Sequence, residues 1–355
     1  MALHSLEVTD FRCVERASLE FDARCTLITG ENASGKTSLL EAIHVLSCGH
    51  SFRSSHQELL IRHGAECFRA VGRVSSKGSR IVLGVQGSRA QTIAHVAGQP
   101  TKGFAELAMH LPTQIIDPEV HRLLEDGPKV RRRYLDWGVF HVERQFVDTW
   151  RRYQRALKQR NAALKAKSPK NSVTLWDQEL IAAGVLVAEQ RQRYVESISP
   201  LVSTIAEALL ELPVRLEHRS GWNQDIDLSA AIGDAWVRDQ RYGLTTVGPH
   251  RADLVVLIDG AIPKERISRG QQKLLAAALI LAQIAFRVSQ EGEEACLLLD
   301  DPAAELDVDN LKRLLTEVAK LRAQLVVTSL DLRSIDQYLS GAVFHVKQGH
   351  VSAVL

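Results

Sequence analysis

The order of apolar and polar residues predicts strands in the first part of the chain. Before residue 105, short segments rich in strand formers are separated by Gly, Ser and Lys. Leu19 and Phe21 alternate with polar residues, and residues 36–45 favour a helix. The other predicted strands are 25–29, 70–74, 81–85 and 92–96.

The pattern becomes helical after residue 105 and returns to strands after residue 242. Segments rich in Ala, Leu, Arg and Gln predict helices at 145–166 and 175–198, with a break at 168–170. Residues 253–258, followed by Asp259-Gly260, favour a hairpin. Further elements expected from the pattern are helices at 270–288 and 309–321 and strands at 296–299, 324–327 and 342–346.

Two strand-containing ends around a helical middle predict an α/β fold with a discontinuous lobe. We expect residues 1–104 and 243–355 to form the first lobe, a mixed sheet with flanking helices. Residues 105–242 would then be an inserted, mostly helical second lobe.

Composition narrows the class of protein. The 355 residues are 45% apolar, which is enough for two or three domains and excludes a disordered chain. The five cysteines form no CxxC pair, which excludes a zinc ribbon and favours free thiols in a reducing compartment.

The longest strongly apolar segment, 274–286, is shorter than the roughly 20 residues that span a bilayer. Glu7 and Asp10 lie where a signal peptide would be apolar, so we expect a soluble, cytoplasmic protein with no membrane partner.

A phosphate-binding signature, GxxxxGK[ST], separates the predicted strand 25–29 from the predicted helix 36–45. Its glycines let successive backbone N–H groups point at phosphate oxygens, and the helix directs its positive end at them. Lys36 would neutralise the β- and γ-phosphates of ATP, and Thr37 would hold Mg²⁺. The predicted ATP-binding residues are Gly30, Glu31, Asn32, Ala33, Ser34, Gly35, Lys36, Thr37 and Ser38.

The apolar strand 296–299 ends in two carboxylates that suit the second half of an ATPase site. Asp300 would coordinate Mg²⁺, and Asp301 would orient or deprotonate the attacking water. Lys36 and Asp301 are therefore the predicted catalytic residues. The 264 positions from Lys36 to Asp300 are too many for a compact G-protein-like domain and indicate a large insertion.

A second anion site is predicted where Ser268, Gly270 and Gln271 precede an apolar helix. One chain does not easily present two such sites to one phosphate group. Two chains arranged head to tail can do so, each closing the nucleotide pocket of the other. An N-capped helix after a loop is the simpler alternative for these residues.

The segments GxNxxGKT, SxGQQK and LLLDDxxxELD together resemble the ABC-type ATPases of the chromosome-maintenance class. Within that class, the chain resembles the bacterial RecF family over essentially its whole length. Residues 127–133, 135–138, 158–162 and 248–253 also look like the corresponding RecF segments, and no long coiled-coil arms are present.

The resemblance implies an ABC-type ATPase head with ATP and Mg²⁺, which dimerises on binding ATP. It implies binding to double-stranded or gapped DNA, with RecR, RecO and RecA as functional partners in replication, recombination, repair and the SOS response. It also implies a weak, DNA-stimulated ATPase that helps to load RecA. Ser268, Gly270 and Gln271 would reach the partner's γ-phosphate, and Asp307 would make a dimer contact.

Two departures from the wider ABC pattern indicate slow hydrolysis. Asp301 stands where transporters have Glu, and Thr328-Ser329 stand where many relatives place a switch histidine. Gln114 is a candidate for the glutamine that links the lobes in this class.

Positive charge is concentrated in one tract although the chain as a whole is only +2. Residues 129–170 contain thirteen basic and three acidic residues, a net +10, which leaves −8 elsewhere. Such a tract suits DNA backbones, and the absence of a recognisable base-reading motif predicts contact without base specificity. A solvated helix face is the alternative, and the arginine triple could instead act near the nucleotide or join the lobes. The candidate DNA-binding residues are Arg131, Arg132, Arg133, Arg151, Arg155 and Lys158.

Two other functions are compatible with these motifs. A nucleotide-gated adaptor would recruit RecR-like partners with negligible turnover. The motor subunit of a membrane transporter would share the ATPase motifs, but the long spacing and the basic helical insert argue against it.

Overall fold

The computed structural model of this protein describes residues 1–76, 78–292 and 295–354. The strands are β1 (Ala2–Phe11), β2 (Val14–Glu20), β3 (Cys25–Thr29), β4 (Cys67–Ser76), β5 (Ser79–Ser88), β6 (Thr92–Val96), β7 (Gln99–Pro100), β8 (Thr113–Ile116), β9 (Val214–Arg219), β10 (Asp253–Ile258), β11 (Cys296–Asp300), β12 (Gln324–Ser329), β13 (Ala342–Lys347) and β14 (His350–Val354). The helices are α1 (Lys36–Cys48), α2 (Ala105–His110), α3 (Arg122–Glu125), α4 (Pro128–Val142), α5 (Phe146–Lys165), α6 (Lys170–Thr174), α7 (Asp177–Leu210), α8 (Leu228–Asp234), α9 (Trp236–Tyr242), α10 (Arg269–Glu291) and α11 (Val308–Lys320).

The chain divides into two compact units. The first unit comprises Met1–Val120 and Lys273–Leu355, and the second comprises His121–Gln272. Both boundaries differ from those expected from the sequence, residues 105 and 242. The difference arises from strand pairing that a single sequence does not reveal. β8 pairs with β11 and so belongs to the first unit, and β10 pairs with β9 and so belongs to the second.

The first unit contains a largely parallel sheet that carries the predicted ATPase motifs. Its strand order is β14-β13-β3-β12-β11-β8, and β14 alone runs antiparallel to its neighbour. β11 and β12 are buried at every position because the sheet is covered on both faces. The carboxyl ends of β3, β11 and β12 therefore lie at one edge of the sheet, where ligands bind in open α/β folds.

A second sheet in the first unit is antiparallel, in the order β2-β1-β4-β5-β6-β7. Helix α1 contacts strands of both sheets, and its apolar side chains share one buried cluster with them. Arg12 and the fully buried Glu41 of α1 form a two-point ion pair, with N–O distances of 2.8 and 2.6 Å. This ion pair joins the second turn of α1 to the end of β1.

The second unit is mainly helical, with α5 packed along α7 and with the antiparallel pair β9-β10 against α4 and α7. α7 continues twelve residues beyond its predicted end at 198, although Pro200 lies inside it. Val202, Ile205 and Leu209 are buried in this last part, so tertiary packing outweighs the cost of the proline. Residues 253–258 form a strand as predicted, but only one bridge, Ile258 to Ala261, follows the Asp-Gly turn.

One helix in the described part of the chain, Arg269–Gln290, is long and apolar enough to cross a membrane. The sequence did not predict a helix of this kind, because its longest strongly apolar segment, 274–286, is too short to span a bilayer. However, 78% of its apolar window is buried inside the protein, as in the core helix of a globular fold.

Candidate nucleotide-binding site

The predicted phosphate-binding loop is a turn between β3 and α1 whose backbone requires glycine. Gly30 has φ +153° and Gly35 has φ +117°, conformations that other residues rarely adopt. A Cβ atom on Gly30 would lie 2.3 Å from the carbonyl oxygen of Val346 in β13. The first turn of α1 contains no acidic residue, so its positive end is unopposed by local negative charge.

Lys36 lies inside this loop and is 6% exposed. Its ammonium group donates to the carbonyl oxygens of Gly30 and Glu31, at 2.7 and 3.0 Å. The Ser34 hydroxyl is also buried and has no hydrogen-bond partner. A buried ammonium satisfied only by carbonyls and a buried hydroxyl without a partner fit a loop that receives phosphate oxygens.

Thr37 and Asp300 are brought together by α1 and β11 although 263 positions separate them. The Thr37 hydroxyl donates to Asp300 Oδ1 at 2.9 Å, and the Thr328 hydroxyl donates to the same oxygen at 2.8 Å. Two ligands at adjacent corners of a magnesium octahedron are about 2.9 Å apart. The oxygens of Thr37 and Asp300 thus fit a Mg²⁺ ion that is bound together with a nucleotide. Such an ion needs only one or two protein ligands, because the phosphates and water supply the others.

Clusters of three or more His, Cys, Asp or Glu side chains able to hold a metal ion do not occur among the residues that the structure describes. A dedicated protein-only metal centre is therefore not part of the described structure.

Asp301 follows β11 in a left-handed backbone conformation, with φ 47°. Its N–H donates to the carbonyl and hydroxyl oxygens of Thr328, at 3.2 and 3.0 Å. Burial raises the pKa of its carboxyl, Lys36 lowers it, and Asp300 raises it further; the pKa lies above its ordinary value. A carboxyl group whose pKa is raised accepts a proton more readily than an ordinary aspartate does.

The sequence identified Thr328 only as a residue at the position where many relatives place a switch histidine, and it did not predict the contacts of Thr328 with the two acids. Thr328 contacts both acids of β11, since it donates to Asp300 and accepts from the Asp301 N–H. The parallel register pairs Thr328 with Asp300. A signal was present in the sequence: Thr328 directly follows the predicted strand 324–327. Parallel strands end at the same edge of a sheet, so this strand predicts that Thr328 lies near the acids that follow 296–299.

Ser268 and Gln271 form a reciprocal cap at the start of α10. The Gln271 N–H donates to the Ser268 hydroxyl at 3.3 Å, and the Ser268 N–H donates to Gln271 Oε1 at 3.0 Å. The simpler alternative, an N-capped helix, is thus present. A Cβ on Gly270 would meet only the Ser268 hydroxyl, at 4.0 Å. The fold does not demand glycine there, so its small size leaves room for an incoming group.

Asp307 is the N-cap of α11 and is exposed. Its carboxylate accepts from the backbone N–H of Asn310 at 2.8 Å and from the side-chain amide of Asn310 at 2.7 Å. Val308, the first residue of α11, is 83% exposed. The beginning of α11 is therefore a rigid surface corner with an exposed apolar side chain.

The predicted DNA-contact residues fall into two groups. Arg131 makes a two-point ion pair with Asp253, at 2.8 and 3.0 Å, and Arg132 donates to the Ala252 carbonyl at 2.7 Å. Burial and the nearby Arg191 lower the pKa of Arg132. Both arginines thus fix α4 near β10. The remaining candidates are exposed: Arg133, Arg151, Arg155 and Lys158.

Gln114 lies in β8, and its side-chain amide donates to Gln283 of α10 at 2.6 Å. The described contact is therefore within the first unit.

Comparison with known proteins identifies relatives over the full length. The RecF/RecN/SMC N-terminal domain family matches residues 2–351. The DNA replication and repair protein RecF of Thioalkalivibrio sulfidiphilus is 36% identical over 354 residues, which are 98% of each chain. RecF of Yersinia pestis is 38% identical over 355 residues, 99% of this chain and 98% of the relative.

A solved structure described as the recombination mediator protein RecF with ATP in the RecFOR pathway has the same fold. It matches with a TM-score of 0.89 at 27% identity, covering 100% of this chain and 98% of that chain. The α/β fold class of an ABC-type head and the resemblance stated from the motifs are both confirmed. This chain belongs to the RecF family of the RecF/RecN/SMC proteins.

Proposed function

We propose that this protein is an ATP-dependent DNA-binding protein of replication and recombinational repair. ATP binding closes two copies head to tail on duplex or gapped DNA, and slow hydrolysis releases them. The names of its relatives support this function, as does the ATP complex described for one of them.

The observation that carries the proposal is the joint placement of Lys36, Thr37 and Asp300. The ammonium group lies inside a glycine-dependent loop, and the hydroxyl and carboxylate oxygens are 2.9 Å apart beside it. Bound Mg²⁺ would neutralise phosphate charge at these two oxygens. Lys36 would exchange its carbonyl partners for the terminal phosphates.

Dimerisation is proposed because the predicted second anion site would serve a partner's nucleotide. The Ser268 hydroxyl accepts in the cap, so its own hydrogen remains available to a phosphate oxygen. Gly270 leaves space for that approach. Asp307 and the exposed Val308 would contribute to the same contact between copies.

Asp301 is the proposed water-orienting acid. Its backbone is fixed by Thr328, and its raised pKa suits proton acceptance. The shorter side chain of Asp, compared with Glu, would hold the water less closely and give a weak ATPase. Functional partners would be RecR, RecO and RecA in the cytoplasm, with ATP controlling RecA loading on gapped DNA.

A nucleotide-gated adaptor with negligible turnover is the second candidate, and the short side chain of Asp301 favours it, because this side chain would hold the attacking water less closely than Glu. DNA-stimulated hydrolysis distinguishes the two functions, because an adaptor shows none.

The test is the ATPase rate with and without duplex DNA in the wild type, Asp301→Asn, and Asp234→Asn as a matched control. Asp234 is an exposed acid at the end of α8, outside the proposed contact between copies. We expect Asp301→Asn to bind ATP normally but to hydrolyse it at least about 100-fold more slowly, because general base catalysis is worth roughly this factor. Asp234→Asn should keep the wild-type rate. An Asp301→Asn variant with the wild-type rate contradicts the assignment.

A further inference from the structure

We propose that the second unit contains a nucleobase pocket between α5, α6 and α9, which receives an unpaired base of single-stranded DNA. This inference rests on the proposed DNA binding and adds a specific ligand class and site to it.

The pocket is a cavity of about 380 Å³ with a mixed apolar and polar lining. Its size lies at the lower end of sites for small organic molecules. Its apolar lining residues, called the wall below, are Leu164, Val173, Trp236 and Val237; its polar lining residues are Ser168, Gln240, Lys167 and Arg241, of which the two cations are called the basic rim. Aromatic and aliphatic walls offer a stacking surface for a planar ring.

Apolar exposure around the pocket exceeds what the fold needs. Val237 is 76% exposed and Tyr242 is 60% exposed, and both belong to the seven-residue helix α9. Burying such side chains against a ligand is favourable by the hydrophobic effect.

Positive charge near these side chains is not neutralised. In the described residues no carboxylate lies within ion-pair distance of Lys165, Lys167, Lys170 or Arg241. The Lys170 ammonium lies 5.3 Å from the centre of the Trp236 ring, and the Arg241 guanidinium lies 5.9 Å from that of Tyr242. The acid within α9, Asp239, is fully buried and bonded to Arg160.

A basic stripe on α5 leads to this pocket. Arg151, Arg155, Lys158 and Lys165 are four, three and seven positions apart, which places them on one helix face, and all are exposed. The fourteen helical steps from Arg151 to Lys165 span about 21 Å. The stripe ends next to the pocket-lining residues Leu164 and Lys167. A DNA backbone that follows the stripe therefore reaches the pocket.

Charge complementarity favours DNA over a protein segment as the occupant. A polyanion whose bases have exposed faces satisfies both the basic rim and the aromatic wall, without sequence preference. An apolar protein segment would leave the four cations without partners.

The experiment measures binding of the full-length protein to an oligothymidylate and to a blunt duplex by fluorescence anisotropy, with Mg²⁺-ATP present because the proposed DNA binding depends on ATP. Val237→Glu puts negative charge at the pocket on a side chain that the fold does not need. We expect about tenfold weaker binding of the oligothymidylate, within the range for loss of one stacked base, and duplex binding within about twofold of wild type. Leu186→Glu, on an exposed position of α7, is the matched control and should change neither affinity.

A second readout uses Trp236 itself. Its fluorescence should be quenched by the oligothymidylate, and Trp236→Phe should lose this quenching while keeping affinity within about threefold, because a ring remains.

The proposed pocket is overturned if Val237→Glu binds the oligothymidylate as tightly as wild type does, or if it weakens the binding of both DNAs equally. It is also overturned if quenching persists in Trp236→Phe, or if wild type binds the duplex alone. Failure to bind either DNA overturns the proposed function as well.

Discussion

At the scale of single residues, the site depends on backbone conformations and short polar contacts that few residue types permit. Gly30 admits the carbonyl of Val346, Lys36 fills the loop, and Asp300 accepts from two hydroxyl groups, those of Thr37 and Thr328. Most of these identities were evident in the sequence because the phosphate-binding motif is local. The sequence placed Thr328 at the switch-histidine position of its relatives but did not predict its contact with Asp300, because that contact depends on strand register.

Gly30→Ala tests the requirement for glycine in the loop. A Cβ there would clash with Val346, and φ +153° is strained for alanine. We expect ATP affinity to fall at least about tenfold and the free energy of unfolding to fall by at least about 1 kcal/mol. Gly127→Ala is the control, because nothing lies within 4 Å of its Cβ position. Isothermal titration and urea unfolding measure both effects; equal behaviour of the two variants contradicts the account.

At the scale of elements, the second unit is organised by buried ion pairs rather than by apolar contacts alone. Arg160 of α5 is fully buried and donates to Asp177 at the start of α7 and to Asp239 of α9. Arg191 of α7 donates to Asp136 of α4. Asp177 and Arg191 lie on α7, which the sequence predicted only in part. Asp136 and Asp239 lie on α4 and α9, which it did not predict as separate helices. The periodicity of apolar residues predicts a helix but not which charged side chains the helix buries. Arg160 was therefore counted in the basic tract, and Arg191 and Asp239 were given no role.

Asp239→Asn tests the buried pair. Removing one charge leaves Arg160 buried without full compensation, which costs about 3–5 kcal/mol of the free energy of unfolding. Asp234→Asn, an exposed acid at the end of α8, should change it by less than about 0.5 kcal/mol. Urea denaturation followed by circular dichroism measures the difference. A cost below about 1 kcal/mol for Asp239→Asn would show that the pair is not a major contributor to stability.

His250 predicts acid sensitivity of the second unit. Its Nε2 donates to the Thr245 carbonyl at 2.9 Å, and its Nδ1 lies 2.6 Å from the Tyr153 hydroxyl, which can donate to it when the ring is neutral. Burial lowers its pKa from 6.5 to about 4. The unfolded chain therefore binds the proton more tightly, and stability that is complete above pH 6.5 is lost as the pH falls towards 4.

Between pH 7.5 and pH 5 this one histidine should lower the free energy of unfolding by about 2 kcal/mol. His250→Gln should lose that part of the pH dependence, although it also lowers stability at pH 7.5. Urea unfolding at the two pH values measures the slope. An unchanged slope in the variant contradicts the assignment.

At the scale of the whole molecule, the sequence predicted the class of fold but not the strand pairings that set the limits of the two compact units. The strands that carry Gly30 and Asp300 are short apolar segments next to motifs, and they form as expected. β8 and β9 required partners elsewhere in the chain, β11 and β10, which no local pattern specifies. The boundaries at residues 105 and 242 therefore differ from those of the compact units.

The central claim is that ATP joins two copies of this chain, each completing the nucleotide site of the other. Sedimentation velocity of the full-length protein, with and without Mg²⁺-ATP and with and without gapped duplex DNA, tests it most directly. We predict a monomer without nucleotide, a dimer with ATP that DNA favours further, and a monomer under all conditions for Lys36→Ala. A wild-type protein whose mass stays that of one chain at high concentration, with ATP and DNA present, contradicts the claim.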